Sequence, residues 1–142
     1  MATPKQVLAG AIHRTRAAFA ALVVGVALTT AADANPGAIQ QAEIDHLLAF
    51  VGTSQCTFIR NGTGYPATEA REHLTSKFNY AKGRIATAEE FIRHLATESS
   101  MSGEPYQVKC GGKVIPAGVW LADELQRFRK VAAVAGGPAK AQ

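Results

Sequence analysis

Hydrophobic and polar positions divide the chain into a leader and a folded segment. A basic head is followed by an unbroken apolar run over residues 17–28, and the small residues Ala32 and Ala34 close the segment. This order is typical of a secretory signal peptide, so we predict a signal peptide over residues 1–34 with cleavage after Ala34. The alternatives are an organellar transit peptide and a membrane anchor. As a helix the apolar run would span roughly 18 Å, which is too short for a hydrocarbon core of about 30 Å.

Helical spacing recurs in four stretches of the folded segment. Apolar residues between positions 44 and 51 follow the i, i+3, i+4, i+7 pattern of an amphipathic helix. A second helix is predicted over residues 66–82. Thr87 and Glu90 have the spacing of a capping box that opens a third helix. A fourth helix is predicted to begin near Ala117.

Strand signals lie in two places. Residues 56–60 alternate between the two faces of a strand and end in the turn pair Asn61-Gly62. Residues 106–110 and 113–115 flank Gly111-Gly112, a spacing that predicts a hairpin with a tight turn.

The combined pattern predicts an α+β fold in a single domain. About four helices would pack on a small antiparallel sheet made of one strand plus a hairpin. This domain would cover residues 35–131. The Ala- and Gly-rich residues 132–142 would form a flexible tail.

Only two cysteines are present, Cys56 and Cys110, and both fall in predicted strands. In an oxidising compartment an isolated pair is most simply a disulfide. Strand alternation makes that bridge geometrically sensible if the two strands pair. A redox-active dithiol or a metal site is the alternative, but no Cys-x-x-Cys motif exists and no histidine lies near either cysteine in the sequence.

Several separated blocks of sequence form a combination typical of one family. The blocks are residues 56–62 (Cys-Thr-Phe-Ile-Arg-Asn-Gly), 69–74 (Glu-Ala-Arg-Glu-His-Leu), 87–92 (Thr-Ala-Glu-Glu-Phe-Ile), 99–106 (Ser-Ser-Met-Ser-Gly-Glu-Pro-Tyr) and 120–121 (Trp-Leu). Together they resemble the YfeK-like family of small exported bacterial proteins. They occur in the same order over roughly residues 39–128. The resemblance implies a periplasmic protein of unknown function, and it carries no active site over to this chain.

Charge argues against a nucleic-acid partner. The whole chain carries 15 basic and 11 acidic side chains. The leader accounts for three of the basic residues and one acidic residue, so 12 and 10 remain, a net charge of +2. Binding to nucleic acid would need a clustered basic face. We also expect no stable membrane insertion once the leader is cleaved.

Three histidines lie beyond the leader. Helical geometry points His46 away from the apolar stripe, towards solvent, and His94 is predicted to lie at the surface. His73 flanks an apolar stripe, with Glu69 and Lys77 one turn away on either side. A structural role for His73 is the simpler interpretation, and a general base oriented by Glu69 is the alternative.

A scattered polar set comprises the candidate binding residues. Each lies beside a turn or loop, and an arginine fork suits a carboxylate or phosphate. The set is Arg60, Asn61, His73, Lys77, Arg84, Ser100 and Tyr106. Structural hydrogen bonds to helix ends and loops are the alternative role for the two arginines.

Two classes of function stay open at the level of sequence. The first is a non-enzymatic periplasmic module that binds an envelope component or a protein. The second is a small hydrolase acting on envelope material through His73 or a serine of the loop that contains Ser100. No nucleophile elbow, phosphate loop or metal spacing is present in the sequence, so we expect no cofactor and no metal and assign no catalytic residue.

Overall fold

A computed structural model describes residues 36–136, which form four helices and one four-stranded sheet. The predicted leader and residues 137–142 lie outside the described residues. The elements in chain order are α1 (Ala38–Thr53), β1 (Thr57–Arg60), β2 (Thr63–Pro66), α2 (Ala67–Ala81), α3 (Ala88–Phe91) continuing as a π-helical turn (Ile92–Ala96), β3 (Gln107–Cys110), β4 (Lys113–Pro116) and α4 (Ala117–Ala135). The predicted α+β fold is confirmed. None of these helices is long and apolar enough to cross a membrane.

The sheet consists of two hairpins joined side by side, with the antiparallel strand order β2-β1-β3-β4. Each hairpin closes through two residues with positive φ, Asn61 and Gly62 (49° and 76°) and Gly111 and Gly112 (54° and 80°). Those angles belong to type I′ turns, which match the twist of paired strands and favour Asn-Gly and Gly-Gly. The predicted 111–112 hairpin is therefore confirmed.

Strand β2 is one strand more than the sequence pattern predicts. Gly64 and Pro66 are both poor strand formers, which hides the strand from a pattern of residue types. The strand nevertheless forms, because it lies at the edge of the sheet, where a proline leaves no ladder hydrogen bond unmade.

The capping box is confirmed at the start of α3. The Thr87 hydroxyl accepts a hydrogen bond from the Glu90 backbone N–H at 3.1 Å. The Glu90 carboxylate in turn accepts one from the backbone N–H of Ala86 at 2.7 Å. The Thr87 hydroxyl therefore satisfies a backbone donor that the first turn of a helix cannot pair, and the Glu90 carboxylate satisfies the donor of the residue just before the N-cap.

All four helices contribute to one core on the inner face of the sheet. Phe58 and Val108 lie opposite each other on the two central strands, and both are buried. The outer face is solvated, with Thr57, Gln107 and Lys109 exposed. Helices α1 and α2 approach so closely that a Cβ at Gly52 would lie 2.5 Å from the Cδ atom of Arg71.

A disulfide joins Cys56 to Cys110, as predicted. Thr57 pairs with Lys109, so the two cysteines lie opposite each other one residue beyond that pair. Their Cα atoms are 4.7 Å apart, as in a non-hydrogen-bonded antiparallel pair. The bridge closes a loop over 54 positions of sequence separation, which stabilises the fold by about 4 kcal/mol on the chain-entropy model.

The two hairpins and the helices that follow them form two equivalent units at a constant offset of 50 residues. The paired starting residues are Thr57 and Gln107, Thr63 and Lys113, and Ala67 and Ala117. Because β1 and β3 run antiparallel, equivalent positions lie at opposite ends of the central strand pair. The Cys56–Cys110 pair at one end therefore corresponds to the pair formed by Tyr106 and Arg60 at the other.

Candidate functional site

Polar side chains from β1, β2, α2 and the residue just before β3 meet at the end of the central strands opposite the disulfide. The Arg60 guanidinium lies 3.2 Å from both ring nitrogens of His73 and donates to the Tyr65 hydroxyl at 3.3 Å. The Nε2 atom of His73 is 3.3 Å from the Tyr106 hydroxyl. Lys77 lies over the Tyr106 ring, 5.1 Å from its centroid. We call these five residues the Arg60 cluster.

A cavity of about 300 Å³ opens beside the Arg60 cluster, between the inner face of the sheet and α2. Most of its wall is apolar. Polar atoms come from members of the cluster and from two glutamates. The lining residues are Phe58, Ile59, Arg60, Tyr65, Glu69, Ala70, Glu72, His73, Leu74, Ser76, Ala96, Tyr106, Ala117 and Leu121.

One residue of the cavity wall differs sharply from its counterpart in the second unit. Ala70 of α2 lines it, and the equivalent position in α4 is Trp120. The Trp120 ring stacks on Phe50, with centroids 4.4 Å apart, and packs edge-on against Phe58 at 5.6 Å. The second unit thus has a packed aromatic side chain at the position where the first unit has an alanine beside the cavity.

Within residues 36–136 Arg60 forms no ion pair with a carboxylate. Its hydrogen-bond partners are an imidazole and a phenol, and its guanidinium lies over the Tyr65 ring at 4.8 Å. Arg129, by contrast, makes two hydrogen bonds to the buried Glu43, of 2.7 and 2.8 Å. A half-buried guanidinium at the mouth of an apolar cavity is a site that an anion would neutralise.

His73 is held as the neutral imidazole. An arginine can only donate, so its hydrogen bond to the ring requires a nitrogen lone pair. Burial lowers the pKa of His73, and the positive charges of Arg60 and Lys77 lower it further. A histidine that acts as a general base is usually oriented by a carboxylate. Within residues 36–136 the hydrogen-bond partners of His73 are Arg60 and Tyr106, so neither Glu69 nor another carboxylate orients it.

Lys77 has a structural function. Its ammonium group donates to the carbonyl oxygens of Leu95 at 2.7 Å and Glu98 at 3.3 Å. These carbonyls lie at the end of the π-helical turn and just beyond it, where helical partners run out. Burial and the nearby Arg60 lower the pKa of Lys77, while Glu98 opposes that effect.

Tyr106, the residue just before strand β3, completes the cluster. The residue is buried, and its backbone N–H donates to the Thr97 carbonyl at 2.9 Å. Burial raises the pKa of the Tyr106 hydroxyl, against a smaller opposing effect of Arg60. At neutral pH the phenol therefore stays protonated and can donate to an anion.

The structure brings together Arg60, His73, Lys77 and Tyr106 from the predicted binding set, but not the other three residues. Asn61 lies in the first hairpin turn, where its side-chain oxygen accepts a hydrogen bond from Ser102 at 2.8 Å. Arg84 is exposed beyond α2. Ser100 is exposed in its loop and does not line the cavity.

Tyr65 is the cluster member that the sequence interpretation missed. It lies in β2 and pairs with Phe58 across the Asn-Gly hairpin. The signal was available, because a two-residue type I′ turn after residue 60 implies a returning strand. Tyr65 would then fall on the same face as its partner Phe58.

The remaining histidines differ in their surroundings. His46 is not solvated as predicted, because its ring stacks on Phe128 at 4.0 Å and its Nε2 atom lies 2.7 Å from a carboxylate oxygen of Glu124. His94 is exposed and accepts a hydrogen bond from Arg93, which confirms its predicted surface position. No histidine in the described range is hydrogen-bonded to a serine hydroxyl.

Metal-binding geometry is missing from the part of the chain that the structure describes. No three of its His, Cys, Asp and Glu side chains are close enough to hold a metal ion. The side chains that converge here therefore offer hydrogen-bond donors and one arginine charge to a ligand.

Comparisons with known proteins agree with the sequence resemblance. The family of unknown function DUF5329 matches residues 38–129. A protein of Salmonella typhimurium strain LT2 described as "Uncharacterized protein YfeK" is 42% identical over 85 residues, which cover 59% of this chain and 71% of that relative. No solved structure matches the chain significantly. The matched segment contains both hairpins, all four helices up to residue 129 and the whole Arg60 cluster, and the chain therefore belongs to DUF5329, a YfeK-like family of unknown function.

Proposed function

We propose that this protein is an exported, non-enzymatic binding module of the bacterial cell envelope. Its ligand would place an anionic group against Arg60 and a second, apolar group in the adjoining cavity. An envelope fragment or a peptide terminus has this chemistry. The observation that carries the proposal is the Arg60 guanidinium, which faces the cavity with only neutral hydrogen-bond partners among residues 36–136.

Export to the periplasm is supported by two independent features. The predicted leader has the order of charge, apolar run and small residues that a signal peptidase reads. The Cys56–Cys110 bridge fits an oxidising compartment. Non-reducing mass spectrometry of the protein recovered from a periplasmic extract should show loss of residues 1–34 and of two hydrogens. A full-length, reduced chain confined to the cytoplasm would contradict export.

Binding at the cavity can be tested by thermal shift on the oxidised protein with muropeptides, short peptides, lipid headgroups and sugars. A ligand that prefers the native state raises its stability, by about 2.7 kcal/mol at one hundred times Kd. We expect at least one compound to raise the melting temperature of the wild type but not that of Arg60→Gln.

The matched control is Arg93→Gln, which removes an exposed arginine outside the cavity. This variant should respond to the ligand as the wild type does. Binding at this cavity would be contradicted if every active compound raised the melting temperature of Arg60→Gln as much as that of the wild type. It would also be contradicted if no compound of the panel raised the melting temperature of the wild type. Turnover of a panel compound that Arg60→Gln abolishes would contradict the non-enzymatic part of the proposal.

A further inference from the structure

We infer that the ligand of this cavity is a carboxylic acid with one negative charge and an apolar group attached near the carboxylate. The inference rests on the proposed function and specifies its ligand. The carboxylate would lie against Arg60 and the Tyr65 and Tyr106 hydroxyls. The apolar group would enter the cavity between the sheet and α2.

The charges around the cavity disfavour an anion that carries more than one negative charge. Among residues 36–136 Arg60 is the one cation that lines it, because Lys77 lies outside the lining and gives its ammonium donors to two backbone carbonyls. Glu69 and Glu72 also line the cavity. Their carboxylates would repel a phosphate dianion or a polyanion more strongly than a carboxylate, since like charges at close range are destabilising.

The geometry of Arg60 favours a planar anion. A guanidinium presents parallel donors that match the two oxygens of a carboxylate. Its present contacts to His73 and Tyr65 are 3.2 and 3.3 Å, longer than the roughly 2.7–2.9 Å of a charge-assisted hydrogen bond. These longer contacts with neutral groups are therefore weaker than the pair that a carboxylate would form.

The cavity wall selects the remainder of the ligand. Its volume of about 300 Å³ is at the small end for ligand pockets, and Ala70, Ala96 and Ala117 form part of its apolar wall. A sugar would bury hydroxyls against these methyl groups without hydrogen-bond partners, and each would cost free energy. An aliphatic or aromatic group of the size of one or two amino-acid side chains would pack against this apolar wall without burying an unpaired polar group.

Two sources supply this chemistry: a free short-chain carboxylic acid and the C-terminal residue of a peptide. Isothermal titration of the oxidised protein with two matched pairs separates them. The first pair is hexanoate and hexanamide. The second is N-acetyl-alanyl-leucine as the free acid and as the C-terminal amide. Inorganic phosphate and glucose complete the set.

Each acid should bind about 10- to 150-fold more tightly than its amide, the range given by a charged hydrogen bond of about 1.5–3 kcal/mol. Arg60→Gln should remove this preference, and Arg93→Gln should keep it. Ala70→Trp, which places at the cavity the residue found at the equivalent position 120, should weaken binding of both members of a pair. Circular dichroism and melting curves establish that each variant is folded.

The relative affinities of the two acids identify the source of the ligand. Tighter binding of the dipeptide acid than of hexanoate assigns the site to peptide C-termini, and the reverse order assigns it to free acids. Equal binding of acid and amide, or Arg60-dependent binding of phosphate or glucose in preference to both acids, would overturn the inference. In the phosphate and glucose cases the proposed binding function survives. If no compound of the set showed binding that depends on Arg60, both this inference and the proposed binding function would be refuted.

Discussion

The two ends of the central strand pair hold equivalent positions with different chemistry. At one end Cys56 and Cys110 are joined covalently, and at the other Arg60 and Tyr106 carry hydrogen-bonding groups that face a cavity. The same backbone register thus supports a disulfide at one end and a polar cluster beside a cavity at the other. The difference indicates that the fold is secured at the disulfide end, which leaves the Arg60 end available for a ligand.

The side chains around the two ends differ in the same direction. Trp120 packs on Phe50 and Phe58, whereas its counterpart Ala70 lines the cavity. Large aromatic side chains contribute strongly to packing because they remove much apolar area from water. We therefore expect substitutions at the disulfide end to affect stability most, and substitutions at the Arg60 end to affect ligand binding.

The largest effect should follow removal of the disulfide between Cys56 and Cys110. Cys56→Ala combined with Cys110→Ala frees the denatured chain from a constraint between residues 54 positions apart. We expect the free energy of unfolding to fall by about 4 kcal/mol. Urea denaturation of the variant and the oxidised wild type measures the difference. A loss below about 1 kcal/mol would show that the bridge does not secure the fold on this model.

Trp120→Ala should break the packing at the same end. The side chain is half-buried, so the expected loss is roughly 3 kcal/mol, at the lower end of the range for tryptophan truncation. Val119→Ala is the matched control, because Val119 is 53% exposed and adjacent in α4. Equal losses in the two variants by urea denaturation would contradict the packing role of the indole.

The equivalence of the two ends can be tested by moving the bridge. Arg60→Cys with Tyr106→Cys, in a chain that also carries Cys56→Ala and Cys110→Ala, places two thiols at the pair equivalent to the native site, one residue beyond the Ile59–Gln107 pair. A disulfide should form, and it should recover about 2 of the about 4 kcal/mol lost with the native bridge, because the buried Tyr106 side chain is lost. Non-reducing mass spectrometry and urea denaturation check both parts, and persistent free thiols would refute the equivalence.

Lys77→Met should have a smaller effect at the Arg60 end. The variant keeps a long side chain but leaves the Leu95 and Glu98 carbonyls without the ammonium donor. We expect a loss of about 1 kcal/mol in urea denaturation, because the group is partly solvated and water replaces some of the hydrogen bonding. Lys82→Met, at an exposed position, is the control and should change stability little. A gain in stability would mean that Lys77 is held at a net cost.

The smallest effect concerns pH. The pKa of His73 is lowered in the folded protein, so the unfolded chain binds a proton more readily once the pH falls below about 6.5. This contribution to stability is present above pH 6.5, declines below it and levels off below the folded pKa. Melting temperatures from pH 8 to 5 should fall less in His73→Gln than in the wild type. His94→Gln should follow the wild type, and identical profiles for His73→Gln and wild type would contradict this prediction.

The sequence predicts the parts of this fold that depend on local patterns. Apolar spacing, the Thr87 capping box and the Gly111-Gly112 turn are local signals, and the structure contains all three features. The disulfide needed only the assumption that two strands pair. Strand β2 escaped prediction because Gly64 and Pro66 obscure it, and the structure shows that an edge position tolerates both.

The Arg60 cluster depends on tertiary relations that no local pattern contains. Arg60 and Tyr106 meet because β1 pairs with β3 in one register, and the cavity lies between residues of the sheet, α2, α4 and the π-helical turn. A loop position alone did not distinguish Tyr106 from Arg84 or Ser100, which lie apart from the cluster. The offset of 50 residues between the two units was present in the sequence but weak, since few residues are identical across it.

The pairing of β1 with β3 has a consequence for the order of folding. Each hairpin closes through two residues and can form in about 1–10 μs, whereas the central pair must join strands more than 40 residues apart along the chain. Distant pairings slow folding because the chain entropy of loop closure is lost before the contacts form. An oxidised chain already holds Cys56 beside Cys110, so this search is shortened, and refolding from urea should be faster with the bridge intact than after its reduction.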